Sequence, residues 1–561
     1  MGNPTAEDVF GAVLQKSQET LRHLEDISKN AAAVSENLLL KMLSDNADTE
    51  YGRKYDFAGI KTVAEYKSNV PFSTYEDYEN YIARMYENGE KNLITAYPIA
   101  HYATSSGSVG APKRVPVSKR EIELYSEYAM AYFGVAQEYT QKKYGRGLNK
   151  GKVLASLEVV VEHAPDGATS GCVSAATIDQ LKIIASFLYT TPACVLFPKE
   201  VRFQRYLKLR FALPAREVTI LGAPFMTSFA DLFTYLESNW ELLADDIEKG
   251  VISEEIEIPR GMRDELEPLL APDPKRAAEL REIFSRGFEN VIKKIWTGIE
   301  LLSAIGTGGF AVYTEKMRYF LGDVPIHFEV YAASEAIVGV ATGMEEEFYT
   351  LIPDGGFYEF IPEDAGDETQ TLTLDQLEAG KNYEIVITNV SGLYRYRIGD
   401  VVRVLGYYNQ SPRICFLYRK NQLVSIAGEK TDENMVKWVM SELSRETGEV
   451  FVDYSVYADT EASPGRYVFF AEPKDLVPQE KLEGYRGIIE DKLSAANPSA
   501  GAKIKSGALG SVALEVLQQQ TYYLHRDQKI ARGVSENQMK PVRVISKPED
   551  KKFFFALRER Y

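Results

Sequence analysis

The chain has 561 residues, 45% of them hydrophobic and 26% charged, which is the composition of a globular protein too long for one simple core. With 64 Lys and Arg against 81 Asp and Glu the net charge is −17. That argues against partners that need a basic field, namely nucleic acid and anionic membrane surfaces. Cys172, Cys194 and Cys415 are scattered and odd in number, so no disulfide framework or zinc site is predicted, and a reducing cytoplasm is expected. The acidic start lacks the apolar core of a signal peptide, and no apolar run reaches membrane-spanning length. Gly2 invites myristoylation, but Ala6 stands where Ser or Thr is needed.

In chain order, residues 6–82 read as helices with short joints. A mostly apolar stretch, Tyr97 to Tyr102, leads into the loop Ser105-Ser106-Gly107-Ser108-Val109-Gly110-Ala111-Pro112-Lys113. Its glycines let backbone N–H groups approach phosphate oxygens, its serines add donors and Lys113 adds charge. The spacing is not that of a Walker A loop, and a plain Ser-Gly surface loop is the competing reading. Ser118 and Glu121 have capping-box spacing and open a helix whose stripe is Ile122, Tyr125, Ala129 and Tyr132. Val153 to Leu157 and Val218 to Leu221 read as strands. Phe229, Leu232, Phe233, Leu236, Trp240 and Leu243 form a helical stripe.

Ile326 to Tyr331 reads as a buried strand leading into Tyr331-Ala332-Ala333-Ser334-Glu335. A carboxylate beyond a strand's C-terminal end is a common metal-ligand or catalytic position in α/β folds, and one Glu with substrate phosphates suits magnesium. The alternative is a Ser-Glu helix start with no metal. From Tyr383 onward, Glu384 to Val390, Val401 to Tyr408 and Arg413 to Leu417 read as strands of a barrel-like subdomain. Between the first two lies Tyr394-Arg395-Tyr396-Arg397-Ile398-Gly399-Asp400, where Gly-Asp is also a hairpin signal. Asp400 could accept from both hydroxyls of a ribose. Beyond Lys420 the pattern is self-contained: helices near 433–443 and 481–493, strands near 451–457, 467–471 and 512–517, giving a small sheet with helices on one face.

The five histidines form no metal-binding pair. There is no G-x-S-x-G elbow and no G-x-G-x-x-G after a strand, so hydrolase, dehydrogenase and zinc-enzyme chemistries lack residues. Together the three segments describe an ATP site that makes an acyl-adenylate.

These segments, in this order, resemble the adenylate-forming superfamily, and more closely the plant auxin-responsive acyl-acid amido synthetases, the Gretchen Hagen three family. The resemblance covers nearly the whole chain. It includes residues 43–51, 71–77, 236–250 and 391–400, Arg419-Lys420-Asn421 with Lys430-Thr431-Asp432-Glu433, and Gly533 to Lys540. It implies that Ser105, Ser106, Gly107, Ser108, Gly110 and Lys113 cradle the ATP phosphates. Glu335 holds Mg2+, while Tyr331, Ala332, Ala333 and Ser334 line the adenine and α-phosphate. Asp400 binds ribose, with Phe416 and Arg419 near the sugar. Lys430 and Lys540 reach phosphate oxygens from the small domain, Lys540 as the catalytic lysine that domain closure brings in.

Three departures bear on the plant substrates more than on adenylation, as in a microbial relative. The first motif is one residue shorter before its lysine, Ala333 replaces a serine, and Ala427-Gly428-Glu429 replaces an acidic pattern.

The expected fold is α/β: residues 1–420 form a large ATP- and acyl-binding domain with a β-barrel-like subdomain, and residues 421–561 a smaller mobile α+β lid. The expected activity is ATP-dependent joining of a carboxylic acid to an amino acid or other amine by a cytoplasmic monomer. An acid–CoA ligase and a catalytically silent binding protein on the same fold stay open as alternatives. Tyr125, Tyr128, Tyr132 and Phe225 are candidate walls for the acyl group.

Overall fold

The computed structural model describes residues 5–105, 113–157, 161–196, 203–363, 365, 370–420, 426, 431–462, 464–505, 509–531, 541–545 and 547–559. Their folding divides into two compact units. One holds residues up to Ser105, Pro112–Ile398 and Val402–Cys415, and the other holds Gly399–Val401 and Phe416–Tyr561. No helix among the described residues is long and apolar enough to cross a membrane.

The first unit opens with helices Ala6–Ser28, Ala31–Asp45, Glu50–Lys54, Val63–Asn69 and Tyr75–Asn88. Thr5 with Asp8, Thr62 with Glu65 and Thr74 with Asp77 form capping boxes, so local sequence sets three of these starts. The unit's deepest core surrounds a parallel sheet of Lys152–Ala155, Val218–Phe225, Leu301–Ile305 and Ile326–His327, in that order. The helix Met226–Lys249 lays Phe229, Leu232, Phe233 and Leu236 into that core and kinks at Asn239. A second sheet pairs Ile99–Ser105 antiparallel with Lys113–Ser118 and parallel with Thr169–Gly171. A seven-stranded sheet runs Phe357–Pro362, Asn382–Thr388, Tyr396–Tyr408, Ser411–Arg419, Tyr349–Leu351, Ile337–Val340, Val330–Ala332.

Three sequence expectations change here. The stripe from Ile122 to Tyr132 spans two helices: Lys119–Ala129 ends at Met130, and Tyr132–Tyr144 begins anew. The first buries Glu121, Leu124, Tyr125 and Tyr128 instead of Ile122 and Ala129. Ile326 to Tyr331 is two strands in two sheets, because Glu329 takes a left-handed backbone (φ 52°) that turns the chain from one sheet to the other. Gly399-Asp400 is not a hairpin turn. It lies inside the strand Tyr396–Tyr408, where Gly399 has φ 78°, a conformation open to glycine at little cost.

In the second unit, Ala513–Val516, Arg466–Pro473, Phe451–Asp459 and Val544–Ile545 make a four-stranded sheet in that order. Alternation along Arg466–Pro473 sends Tyr467, Phe469 and Ala471 towards helices Glu433–Thr447 and Leu482–Ala496. Val468 and Phe470 go the other way, onto Phe554 and Tyr522 of helices Pro548–Ala556 and Thr521–Ala531. Helices therefore cover both faces, not one, because the C-terminal apolar residues need a face of their own.

Candidate active site

The glycine-rich loop begins and ends on a register pair: Ser105 and Lys113 face each other across the two antiparallel strands. Ser106, Gly107, Ser108 and Gly110 lie outside the described residues, as do Lys430 and Lys540. Lys113 is half-exposed. Its Nζ is 3.8 Å from Glu76 Oε1 and 4.9 Å from the centre of the Tyr75 ring. An exposed pair of this length is worth little, so a phosphate can displace it at small cost.

The second motif is a tight β turn, with no helix start. Val330–Ala332 pairs antiparallel with Ile337–Val340, and the Ala333 N–H donates to the Ala336 carbonyl at 2.9 Å. Tyr125 Oη donates to the Ala333 carbonyl, fixing the turn from the helix Lys119–Ala129. Asn389 Nδ2 donates to the Glu335 carbonyl at 2.6 Å. Ala332, Ala333, Ser334 and Glu335 keep accessible surface, whereas the strand Ile337–Val340 behind them is buried.

A buried network that the motifs do not announce supports this turn. Asn389, fully buried, also accepts from the Ser391 and Leu393 N–H groups at 3.1 and 2.9 Å. Ser391 Oγ receives the Ser118 N–H at 2.8 Å and donates to Glu121 Oε2. Thus Glu121 caps nothing with its side chain; it reaches inward, and its other oxygen, Oε1, is buried without a hydrogen bond among the described residues. Burial, together with the negative charge of nearby Glu335, pushes the Glu121 carboxyl up to about 8. The sequence signal for this network is slight: the polar residues Thr388, Asn389 and Ser391, interrupted by Val390, ahead of the third motif.

The arginines of the third motif are structural anchors. Arg395, buried and at φ 47°, pairs through Nε and Nη2 with both oxygens of Glu359 at 3.0 and 2.9 Å. It also donates to the Lys67 and Val70 carbonyls at 2.7 and 2.8 Å. Arg397 pairs with both oxygens of Glu384 at 2.7 Å. In the second unit, Asp400 is almost fully buried and accepts from Arg419 Nε. Arg419 thus holds, through Nε, the carboxylate that the sequence assigns to ribose. Phe416 belongs to the same unit and is half-buried. Next to Lys430, Thr431 is fully buried and bonded to Tyr467 Oη at 2.9 Å and to Asn497 Nδ2 at 3.0 Å.

The C-terminal ends of the parallel strands carry the partly accessible residues Phe225 and Ile305. Phe225, at the end of its strand, is half-buried and stacks on Phe310 with ring centres 4.8 Å apart. Tyr132 stands close by, its hydroxyl 3.9 Å from where a side chain on Gly222 would begin. Of the four candidate walls, Tyr128 is core, packed with Leu24 and Val340, and Tyr125 serves the Ala333 carbonyl. Below these strand ends Ser303 Oγ donates to Glu329 Oε1 at 3.0 Å, and the Glu329 N–H donates to His327 Nδ1 at 3.1 Å. His327 is fully enclosed and donates from Nε2 to the Ala341 carbonyl at 3.0 Å; burial pushes it down to about 4, so it is neutral.

Among the described residues no three His, Cys, Asp or Glu gather to hold a metal ion. A dication at Glu335 would therefore take most of its oxygens from substrate phosphates, a coordination that suits Mg2+ and not a dedicated protein cage.

These parts belong to an acyl-acid amido synthetase, a ligase, as the relatives of the chain show. The chain matches the GH3 family N-terminal domain over residues 20–326, the GH3 family central domain over 349–419 and the GH3 family C-terminal domain over 434–549. It belongs to the GH3 family. It is 32% identical to the indole-3-acetic acid-amido synthetase GH3.8 of Oryza sativa subsp. indica, covering 96% of this chain and 92% of that protein. It is 31% identical to a probable indole-3-acetic acid-amido synthetase, GH3.1, of Arabidopsis thaliana, covering 95% and 92%. Its structure is similar to that of the GH3.15 acyl acid amido synthetase, with a TM-score of 0.84, 27% identity and 96% of each chain covered. A complex of AtGH3.15 with 2,4-DB gives the same TM-score at 28% identity, covering 97% and 96%.

Proposed function

We propose that this ligase uses ATP and Mg2+ to activate an arylalkanoic or similarly apolar carboxylic acid and passes the acyl group to an amino acid. The observation that carries the residue assignments is the Tyr331–Glu335 turn. Tyr125 and Asn389 pin its carbonyls from both sides while its outer surface stays open. In the first step an oxygen of the acid's carboxylate attacks the α-phosphorus and pyrophosphate leaves. In the second the amine attacks the acyl carbonyl, AMP leaves and the new amide nitrogen gives up a proton. An unperturbed α-amino group has a pKa of about 8, so the neutral fraction at pH 7 suffices without a dedicated base.

Glu335 would hold the Mg2+, which when bound supplies positive charge to the phosphate oxygens. Ser105 to Gly110 and Lys113 line the phosphates, and Tyr331 to Ser334 the adenine and α-phosphate. Asp400, held by Arg419, takes the ribose hydroxyls next to Phe416. Lys430 and Lys540 supply further charge, with Lys540 acting on the developing charge of the first step. Residues 1–420 act as the ATP- and acyl-binding part and 421–561 as the lid. The enzyme works as a cytoplasmic monomer without nucleic-acid or membrane partners. The relatives named for indole-3-acetic acid and the complex with 2,4-DB support an acid with an aromatic end, as does the Phe225–Phe310 stack.

The test is pyrophosphate release across a panel of carboxylic acids, followed by product analysis with coenzyme A and mixed amino acids at equal concentration. Amide products with AMP support the proposal. Thioester products alone would make the chain an acid–CoA ligase, and no release with any acid would leave a silent binding protein.

A further inference from the structure

Glu329 stands out from its surroundings. It is a non-glycine residue in the left-handed region (φ 52°), at the junction between the parallel sheet and the motif strand. Strain of this kind persists where the surrounding structure over-determines it, and it concentrates at ligand sites. Here the surroundings are explicit. The Glu329 N–H is held by His327 Nδ1 at 3.1 Å and its carbonyl by the Ala341 N–H at 2.8 Å. The residue as a whole is half-buried, although Ser303, His327, Tyr132 and Tyr349 beside it are buried.

The hydrogen atoms can be followed. His327 spends its one N–H on Ala341, and its Nδ1 already takes the Glu329 N–H, so the Ser303 hydroxyl proton goes to Glu329 Oε1. Oε1 is thereby the accepting oxygen. Glu329 Oε2 makes no hydrogen bond among the described residues and is not sealed from solvent.

The position is that of a substrate contact. Glu329 follows the last strand of the parallel sheet, at the C-terminal edge where open α/β sheets bind ligands. Phe225 and Ile305, register partners on the two preceding strands, end at the same edge. Tyr132, Tyr189 and Tyr349 are near enough for the charge of Glu329 to raise their phenols.

We propose that Glu329 is a specificity-determining residue of the acyl site. Its second carboxyl oxygen hydrogen-bonds an uncharged oxygen-bearing substituent, so hydroxy-, oxo- or ether-substituted acids are preferred to hydrocarbon acids of the same shape. This rests on the acyl-adenylating function proposed above. Desolvation pushes the carboxyl up to about 8, so at pH 7 Oε2 carries the proton and donates. A neutral group there does not repel the incoming acid's own carboxylate. The groups that face it are the phenols of Tyr132, Tyr189 and Tyr349, the Ser303 hydroxyl and neutral His327, with no cation among them.

The experiment is ATP–pyrophosphate exchange with matched pairs of arylalkanoic acids that differ by one hydroxyl or oxo group. It uses the parent, Glu329→Gln and Glu329→Leu, at pH 7 and pH 9. The parent should favour the oxygenated partner roughly five- to a hundredfold in kcat/KM at pH 7, the range of one buried hydrogen bond left unmade. At pH 9, above the carboxyl's titration, it should lose the preference for oxo partners, to which the ionised oxygen cannot donate, and keep it for hydroxyl partners, whose O–H donates to that oxygen. Glu329→Gln, whose amide nitrogen donates where the acid did, should keep the preference at both pH values. Glu329→Leu should show no preference within a pair, read as the ratio of the two kcat/KM values whatever their absolute size. Exchange in the parent without preference, or a preference that survives in Glu329→Leu, overturns the assignment and leaves the adenylating function standing. If no acid supports exchange in the parent, the proposed function itself fails.

Discussion

Replacing Asn389 by alanine separates support of the motif turn from general stability. Asn389 is fully buried and makes one bond to the Glu335 carbonyl and two to the N–H groups of Ser391 and Leu393. Truncation leaves two N–H groups and one carbonyl without partners. At about 1 kcal/mol or more each, the loss is roughly 3 kcal/mol before any relaxation. The larger consequence is positional: Glu335 loses the bond that holds its backbone, and a displacement of about 1 Å at a reacting centre costs on the order of a hundredfold in rate. Asn389→Asp sharpens the test. Its carboxylate still accepts from both N–H groups but cannot donate to the Glu335 carbonyl, and it adds charge beside Glu335 and Glu121. We expect Asn389→Asp to keep more of the stability than Asn389→Ala and to lose comparable adenylation rate. The assay is pyrophosphate exchange at saturating ATP and acid, with thermal unfolding on the same samples. A folded Asn389→Ala variant that adenylates within about threefold of the parent would refute the reasoning. So would a rate loss that merely tracks the unfolded fraction at the assay temperature.

Arg395→Ala leaves Glu359 as a buried, unpaired carboxylate and should destabilise the first unit by about 3–5 kcal/mol, read as a lowered Tm and denaturation midpoint; an unchanged Tm would mean water replaces the guanidinium. Glu335→Gln should raise the Mg2+ midpoint for pyrophosphate release and lower its maximum with little change in Tm, and identical titrations would remove Glu335 as the metal ligand. Asp400→Asn should raise KM for ATP more than it lowers kcat, because a ribose contact is made in ground and transition states alike. It also weakens the Arg419 pair, so a lowered Tm with unchanged ATP affinity would show Asp400 to be purely structural. Lys540→Ala should slow adenylation about a hundred- to a thousandfold with ATP binding retained, and a rate within a few-fold of the parent would make it an ordinary surface lysine.

How far the chain could be read from its residues depended on the range of the interaction concerned. Capping boxes at Thr5, Thr62 and Thr74 act within one turn, so helix starts could be read directly. The stripe Phe229 to Leu243 carries its own period, and the short segments around residues 105–113, 331–335 and 394–400 carried the family resemblance. What stayed hidden was decided by partners far along the chain. Ser118 and Glu121 look like a capping box, yet Glu121 turns inward to Ser391, 270 residues away. Gly399-Asp400 has the composition of a turn, but the chain runs on through it as one strand with a neighbour on either side. Ile326 to Tyr331 reads as one strand, and only two competing sheets force Glu329 into a left-handed kink between them. Arg395 and Arg397 sit in a motif that reads as functional, and tertiary packing spends both on buried glutamates. Local backbone preferences are written in neighbouring side chains. The pairing of buried charges and the choice between sheets follow from desolvation, which exists only once distant segments have closed around them.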